Sequence, residues 1–287
     1  MNVGIIGTGL MGAPMALTLQ QAGHTVVAYN RSAAKLQPLA AQGIQIESTP
    51  AAVLTTCDCT ILMLADATAI AATLLTPEAQ SALAQHTLIQ MGTIAPEQSR
   101  HLQEQVIVAQ GQYLEAPVLG SIPQAQDGSL IVMVGSTPTQ FEQWQPVLTG
   151  LGDPVLHVGP VGAGAAVKLA MNQLIGSLTT AFALSLALVQ RENIPVETFM
   201  DIVRNSALYA PTFDKKLSRM CDRNFSHPNF PTKHLLKDMR LFSQAAQAAG
   251  LDPALTETVA ATVQQAIAQG LADADYSALY AAVNPEV

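Results

Sequence analysis

The chain has 287 residues, 49% of them hydrophobic and 12% charged, which excludes a disordered polypeptide and predicts a well-buried protein of two domains or one large one. A net charge of -8, with 13 Lys and Arg residues in no dense basic run, argues against a general nucleic-acid surface, so any anion site is expected to be local. Cys57, Cys59 and Cys221 fit neither a disulfide framework nor a four-ligand zinc site; no metal is expected and a reducing compartment fits best.

The opening MNVGIIGTGL carries no basic segment ahead of its apolar residues, so no signal peptide and a cytoplasmic location are expected. Val3 to Ile6 reads as a short strand that meets Gly7-Thr8-Gly9-Leu10-Met11-Gly12, after which Ala13 to Ala22 has helical composition. A G-x-G-x-x-G match in that setting lets a pyrophosphate approach backbone N–H groups at a helix N-terminus. Pro14 suits the first helical turn, Gly23 ends the helix, and Thr25 to Tyr29 reads as a second strand. Folds that take NAD place an acidic residue at the end of that strand. Here stands Asn30-Arg31-Ser32, a guanidinium and a hydroxyl with no carboxylate to repel a 2'-phosphate, so NADP is expected over NAD, with Lys35 placed to assist.

Cys59 to Leu64 and Thr87 to Met91 read as further buried strands, and the stretch 67–85 between them as helical, the alternation of a doubly wound parallel sheet. Loops leaving the C-terminal ends of such strands line the ligand crevice, which places Ala65-Asp66 and Gly92-Thr93 there. Tyr113 to Val118 leads into Leu119-Gly120-Ser121; Asp127-Gly128 is read as a turn into a strand from Ser129 to Val134; Leu148 to Val158 closes a first domain, 1–161. Gly159 to Gly162 reads as a hinge or linker, and the second domain, 162–287, as all-helical.

That second domain opens on a long apolar helix, about 163–191, in which Lys168 is the sole Asp, Glu, Lys or Arg between Asp153 and Arg191. A lone ammonium in such surroundings is paired, reaches water along its own stem, or is kept for chemistry. Asn172 follows on the same face one turn later. The helix is long enough to span a bilayer, but Asn172, Gln173, Ser177, Thr179, Thr180 and Ser185, with no Trp or Tyr belts, argue against a span. A helix buried in a homo-oligomer is expected instead.

GIIGTGLMGAPMALTLQQAGHTVVAYNRS, EAPVLGS, GAGAAVKLAMNQLIG and FPTKHLLKDMRL, in this order and spacing, resemble the beta-hydroxyacid dehydrogenase family, similar in plan to 6-phosphogluconate dehydrogenase. The resemblance covers nearly the whole chain. It implies an α/β Rossmann domain with a doubly wound, mainly parallel sheet, a long interdomain helix and an all-α C-terminal domain, with the active site in the cleft between the domains. It further implies Lys168 as catalytic proton donor with Asn172 as its helper, and Thr93 as a contact of both substrate and nicotinamide. Gly7, Gly9, Leu10, Met11, Gly12, Asn30, Arg31, Ser32, Lys35, Leu64, Ala65 and Lys237 fall to the cofactor, and Leu119, Gly120, Ser121, Phe230 and Asp238 to the substrate.

The expected activity is NADPH-dependent reduction of a small aldehyde or keto acid, the motif EAPVLGSIPQAQDGSL being closer to the glyoxylate and succinic semialdehyde reductases than to the 3-hydroxyisobutyrate dehydrogenases. A 3-hydroxyisobutyrate or tartronate semialdehyde dehydrogenase, an imine reductase and an inactive NADP-binding module are the alternatives; retention of Lys168 and Asn172 weighs against the last. One departure stands out: the family's A-P-V-S-G carries a serine where this chain has Leu119. A small-molecule carbonyl partner and a homodimer or homotetramer are expected, with no nucleic acid and no membrane.

Overall fold

In the computed structural model, which describes residues 1–285, strands and helices alternate from the start of the chain. In order they are β1 (Asn2–Ile6), α1 (Gly12–Gln21), β2 (Thr25–Tyr29), α2 (Gln37–Ala40), β3 (Gln45–Ile46), α3 (Pro50–Thr56), β4 (Cys59–Leu62), α4 (Ala67–Leu74), α5 (Pro77–Ala82), β5 (Thr87–Gln90), α6 (Pro96–Val108), β6 (Gln112–Glu115), β7 (Val118–Leu119), α7 (Ile122–Asp127), β8 (Ile131–Gly135), α8 (Pro138–Thr149) and β9 (Val155–Gly159). Helices α9 (Ala163–Arg191), α10 (Val196–Arg204), α11 (Pro211–Cys221), α12 (Thr232–Ala248), α13 (Ala254–Ala268) and α14 (Leu279–Val283) follow.

The strands lie in the order β3-β2-β1-β4-β5-β6-β8-β7, with β9 on β8. Pairing is parallel from β3 across to β6 and antiparallel where β8 meets β6 and β7, so the sheet is mainly parallel. Strands β4 and β5 are buried at every position, as a parallel strand covered on both faces requires. Alternation along each strand then divides the side chains between two cores. Ile5, Ile61 and Ile89 pack on one face with Met15, Leu19 and Trp144; Ile6, Leu62 and Leu88 pack on the other with Val53, Ile70 and Val106. Because β1 pairs with β2 on one side and β4 on the other, the chain reverses its winding at β1, and the crevice of such a sheet opens there.

Two local readings of the sequence need correction. The stretch 67–85 is two helices, because Asp66 caps the first through Ala69 N at 2.8 Å and Thr76, followed by Pro77, caps a second through Ala79 N at 3.2 Å. The stretch before the eighth strand is not only a turn: α7 forms there, with Pro123 in its first turn and Gly128 ending it at φ +66°, and the strand begins at Ile131 rather than Ser129.

The chain divides into two compact units, Met1–Lys168 and Leu169 onward. By compactness the first turns of α9 go with the sheet: Val161 sits in a sheet core, and a Cβ on Gly164 would lie 2.6 Å from Met133 O. In the second unit, Phe182 and Leu186 of α9 pack with Met200, Phe213 and Met220, the rings of Phe182 and Phe213 stacking at 4.6 Å. Leu235 and Met239 of α12 pack with Val259 and Val263 of α13. By length and composition α9 could cross a membrane; here one face of it is built into this core.

Candidate active site

The glycine loop leaves β1 at the crevice edge. Gly7 has φ +101° and stands so close to the loop after β4 that a Cβ on it would collide with Met63 O, while a Cβ on Gly12 would collide with Gly7 O. Gly9 differs: nothing lies within 4 Å of the position a Cβ would take. Two glycines thus fold the loop tightly and the third leaves open space before the N-terminus of α1, where the amides of Leu10 to Gly12 come at the head of the helix. Thr8 Oγ1 is buried and has no hydrogen-bond partner among the described residues. An open space at a helix N-terminus with an unpartnered hydroxyl beside it fits the pyrophosphate of a dinucleotide.

Asn30, expected among the cofactor contacts, is already engaged at both ends of its amide. Oδ1 accepts from Thr8 N at 3.2 Å and Nδ2 donates to Ser32 O at 3.1 Å, so the side chain braces the glycine loop against the end of β2. Arg31, Ser32 and Lys35 are exposed beyond it. The loops after β4 and β5 come next along the edge. A Cβ on Gly92 would lie 2.5 Å from Leu64 O, which brings the Leu64-Ala65 and Gly92-Thr93 loops together. Gln90, fully buried, holds Gly92 through both backbone groups, donating to its O at 2.7 Å and accepting from its N at 2.9 Å. The one sign of Gln90 in the sequence is a polar residue inside the apolar run TLIQM.

Leu119 ends β7. Gly120, at φ +141°, abuts Leu130 and Gln124, and Ser121 donates both its N–H at 2.9 Å and its hydroxyl at 2.8 Å to Gln124 Oε1. Ser121, expected among the substrate contacts, thus has both its N–H and its hydroxyl bonded to Gln124 here. Lys168 is partly buried, near the start of α9.

In the second unit Asn172 is 2% exposed and its Nδ2 donates to Asp238 Oδ2 at 2.6 Å. Asp238 Oδ1 lies 3.1 Å from Lys237 Nζ, a charge contact without hydrogen-bond alignment. Asp238, expected to touch substrate, is 1% exposed and faces these two side chains, so its visible work is to fix Asn172. Phe230 packs edge-on to Tyr276 at 5.7 Å. Among the described residues no three His, Cys, Asp or Glu side chains group as metal ligands.

Residues 2–159 match the family model described as the NAD binding domain of 6-phosphogluconate dehydrogenase, and residues 162–283 match the one described as NAD-binding of NADP-dependent 3-hydroxyisobutyrate dehydrogenase. The chain is 34% identical to glyoxylate/succinic semialdehyde reductase 1 of Arabidopsis thaliana, over 99% of this chain and 98% of that protein. Its fold is similar to the crystal structure of 3-hydroxyisobutyrate dehydrogenase from Salmonella typhimurium, with a TM-score of 0.88 at 23% identity over 98% and 99% of the two chains. An imine reductase from Myxococcus stipitatus, solved with NADP+, is more distant, with a TM-score of 0.68 at 20% identity over 97% and 98%.

Proposed function

The chain belongs to the 3-hydroxyisobutyrate dehydrogenase family, NADP(H)-dependent oxidoreductases acting on the hydroxyl groups of hydroxy acids, and we propose that it reduces small aldehyde or keto acids, glyoxylate and succinic semialdehyde among them, to hydroxy acids. The observation that carries this reading is Lys168 placed one helical turn from an Asn172 whose amide is fixed by Asp238 at 2.6 Å. The bound nucleotide supplies the hydride. Lys168 answers the negative charge that grows on the carbonyl oxygen and hands it a proton. Asn172, a neutral amide, orients that oxygen and the lysine without adding charge, and Asp238 holds Asn172 in one rotamer.

Arg31, with Ser32 and Lys35, receives the 2'-phosphate, while Asn30 holds the loop that receives the pyrophosphate. A soluble homo-oligomer in the cytoplasm is part of the same proposal. Its support is the outward face of α9, where Val167, Leu174, Leu178, Leu184 and Leu188 are all exposed. At 100° per residue these five fall within an arc of about 120°, a stripe wide enough for a second helix. Light scattering of the purified protein tests it; a monomer at micromolar concentration would remove the reading.

Leu119 favours a second reading, in which the pocket accepts a more apolar carbonyl or a cyclic imine. NADPH oxidation with glyoxylate, succinic semialdehyde, methylmalonate semialdehyde, tartronate semialdehyde and a cyclic imine separates the two. An acid is expected to lead the panel. Preference for the imine, or for an uncharged aldehyde, overturns the first reading. Leu119→Ser should improve kcat/KM on the acids by about tenfold, the worth of one regained hydrogen bond, and leave an uncharged aldehyde unaffected.

A further inference from the structure

Glu115, the last residue of β6, takes no part in the chemistry above, yet its side chain is 1% exposed and bonded at both oxygens. Oε1 accepts from Gly162 N at 2.7 Å and from Ala165 N at 3.1 Å. Oε2 accepts from Ser99 Oγ on α6, and that hydroxyl shares a 2.7 Å hydrogen bond with Tyr113 OH. Glycines make the room: a Cβ on Gly135 would collide with Glu115 Oε1, and one on Gly164 would lie 3.1 Å from it. Burial pushes the Glu115 carboxyl up, and the bonds from Ser99 and from the N–H groups at the head of α9 pull it back.

A helix N-terminus presents N–H groups without intrahelical partners and a positive dipole end, and a carboxylate answers both. Here that carboxylate comes from the sheet. The start of α9 is therefore tied to β6 and α6 by a side chain, and the Gly159 to Gly162 segment, which the sequence suggests as a hinge, is held at its last residue. Lys168 stands on this anchored segment, about 9 Å along the axis from Gly162 at 1.5 Å per residue.

We propose that Glu115 is a positioning residue for the reaction: its carboxylate, clamped between Ser99 and the first N–H groups of α9, fixes the start of that helix on the sheet and so sets where the Lys168 ammonium stands. The proposal rests on Lys168 being the proton donor. Displacing a reacting group by about 1 Å can cost about 100-fold in rate, so a side chain that fixes helix placement carries kinetic weight without touching substrate.

Three variants test this. Glu115→Gln keeps the length: its oxygen can accept from Gly162 and Ala165, and its nitrogen can donate to Ser99 Oγ once that hydroxyl turns its proton toward Tyr113. Glu115→Asp keeps the charge but is one methylene short, and Glu115→Ala has neither. With whichever acid of the panel is turned over fastest, kcat, KM, NADPH affinity, the isotope effect from deuterated NADPH and hydrogen exchange of amides 162–168 are measured together. Asp and Ala are expected to lower kcat by at least about 30-fold, with NADPH affinity within about twofold, a larger isotope effect and faster exchange at 162–168, while Gln stays within about fivefold of wild type.

Asp performing as well as Gln would overturn the proposal, since charge rather than reach would then matter. So would any folded variant with faster exchange at 162–168 and wild-type kcat, or one that loses NADPH affinity in step with kcat. If Ala does not fold, the comparison of Gln with Asp decides. Lys168→Met keeping wild-type turnover would instead refute the assignment of the lysine, a result read independently of Glu115.

Discussion

His86, just ahead of β5, should make the protein lose stability in mild acid, and His86→Gln should remove most of that loss. The ring is 5% exposed and its Nε2 lies 2.9 Å from Thr60 Oγ1. Burial lowers its pKa from 6.5 to about 4, against a smaller upward pull from the Cys57 backbone and the Asp58 charge. The folded value lies below the unfolded one, so the stability is intact above about pH 7 and falls as the pH falls from 6.5 towards 4, where the unfolded chain binds a proton that the folded one does not. At 1.36 kcal/mol per pKa unit the loss approaches about 3 kcal/mol below pH 4 and is about 2 kcal/mol at pH 5. Gln can still bond to Thr60 but does not titrate. The variant should be less stable than wild type by about 1 kcal/mol at pH 7.5, the cost of an imperfect hydrogen bond, and equal or more stable at pH 5. Trp144, the only tryptophan and 3% exposed in the same unit, reports urea unfolding by fluorescence. A difference between the two proteins that is the same at pH 5 and pH 7.5 would refute the reasoning.

Lys168→Met should lower single-turnover reduction by about 100-fold or more, the scale of a lost proton donor, with NADPH affinity unchanged. A variant that turns over like wild type would remove the lysine from the reaction. Arg31→Ile should weaken NADPH by about 1.5 to 3 kcal/mol and spare NADH, whereas Asn30→Ala, which releases the glycine loop, should weaken both; Michaelis constants for the two nucleotides distinguish the roles. Burial pushes the thiols of Cys57 and Cys59 up to about 12, so an aromatic disulfide reagent at pH 8 should titrate only the exposed Cys221 in the native protein and all three cysteines after unfolding.

The parts of the site that could be read from the sequence are those whose chemistry lies in consecutive residues. A strand, a glycine loop and a helix are neighbours in the chain, and the tight approach of Gly7 and Gly12 has the physical cause their spacing suggests. Lys168 was visible because nothing charged stands near it in sequence. What residue type does not show is the local bonding of Asn30, Ser121 and Asp238, whose side chains meet Thr8 and Ser32, Gln124, and Asn172 and Lys237 respectively.

Glu115 stands within the motif EAPVLGS with no sign of its task, because the partners that tie it to α9 are backbone N–H groups 47 and 50 residues away, and backbone leaves no mark in a sequence; its third partner, the Ser99 hydroxyl, is a residue type too common to single out. Gln90 is the same case at shorter range, two residues from the glycine it holds. Both were open to an argument from cost. A polar side chain at the end of a strand buried on both faces is expensive unless it is bonded, so its partners must exist, and where no side chain in the sequence offers itself they must be main chain. Both residues end strands at the edge where ligand loops begin. The main chain they can hold is therefore that of the site itself: the Gly92-Thr93 loop for Gln90, and the start of the helix bearing Lys168 for Glu115.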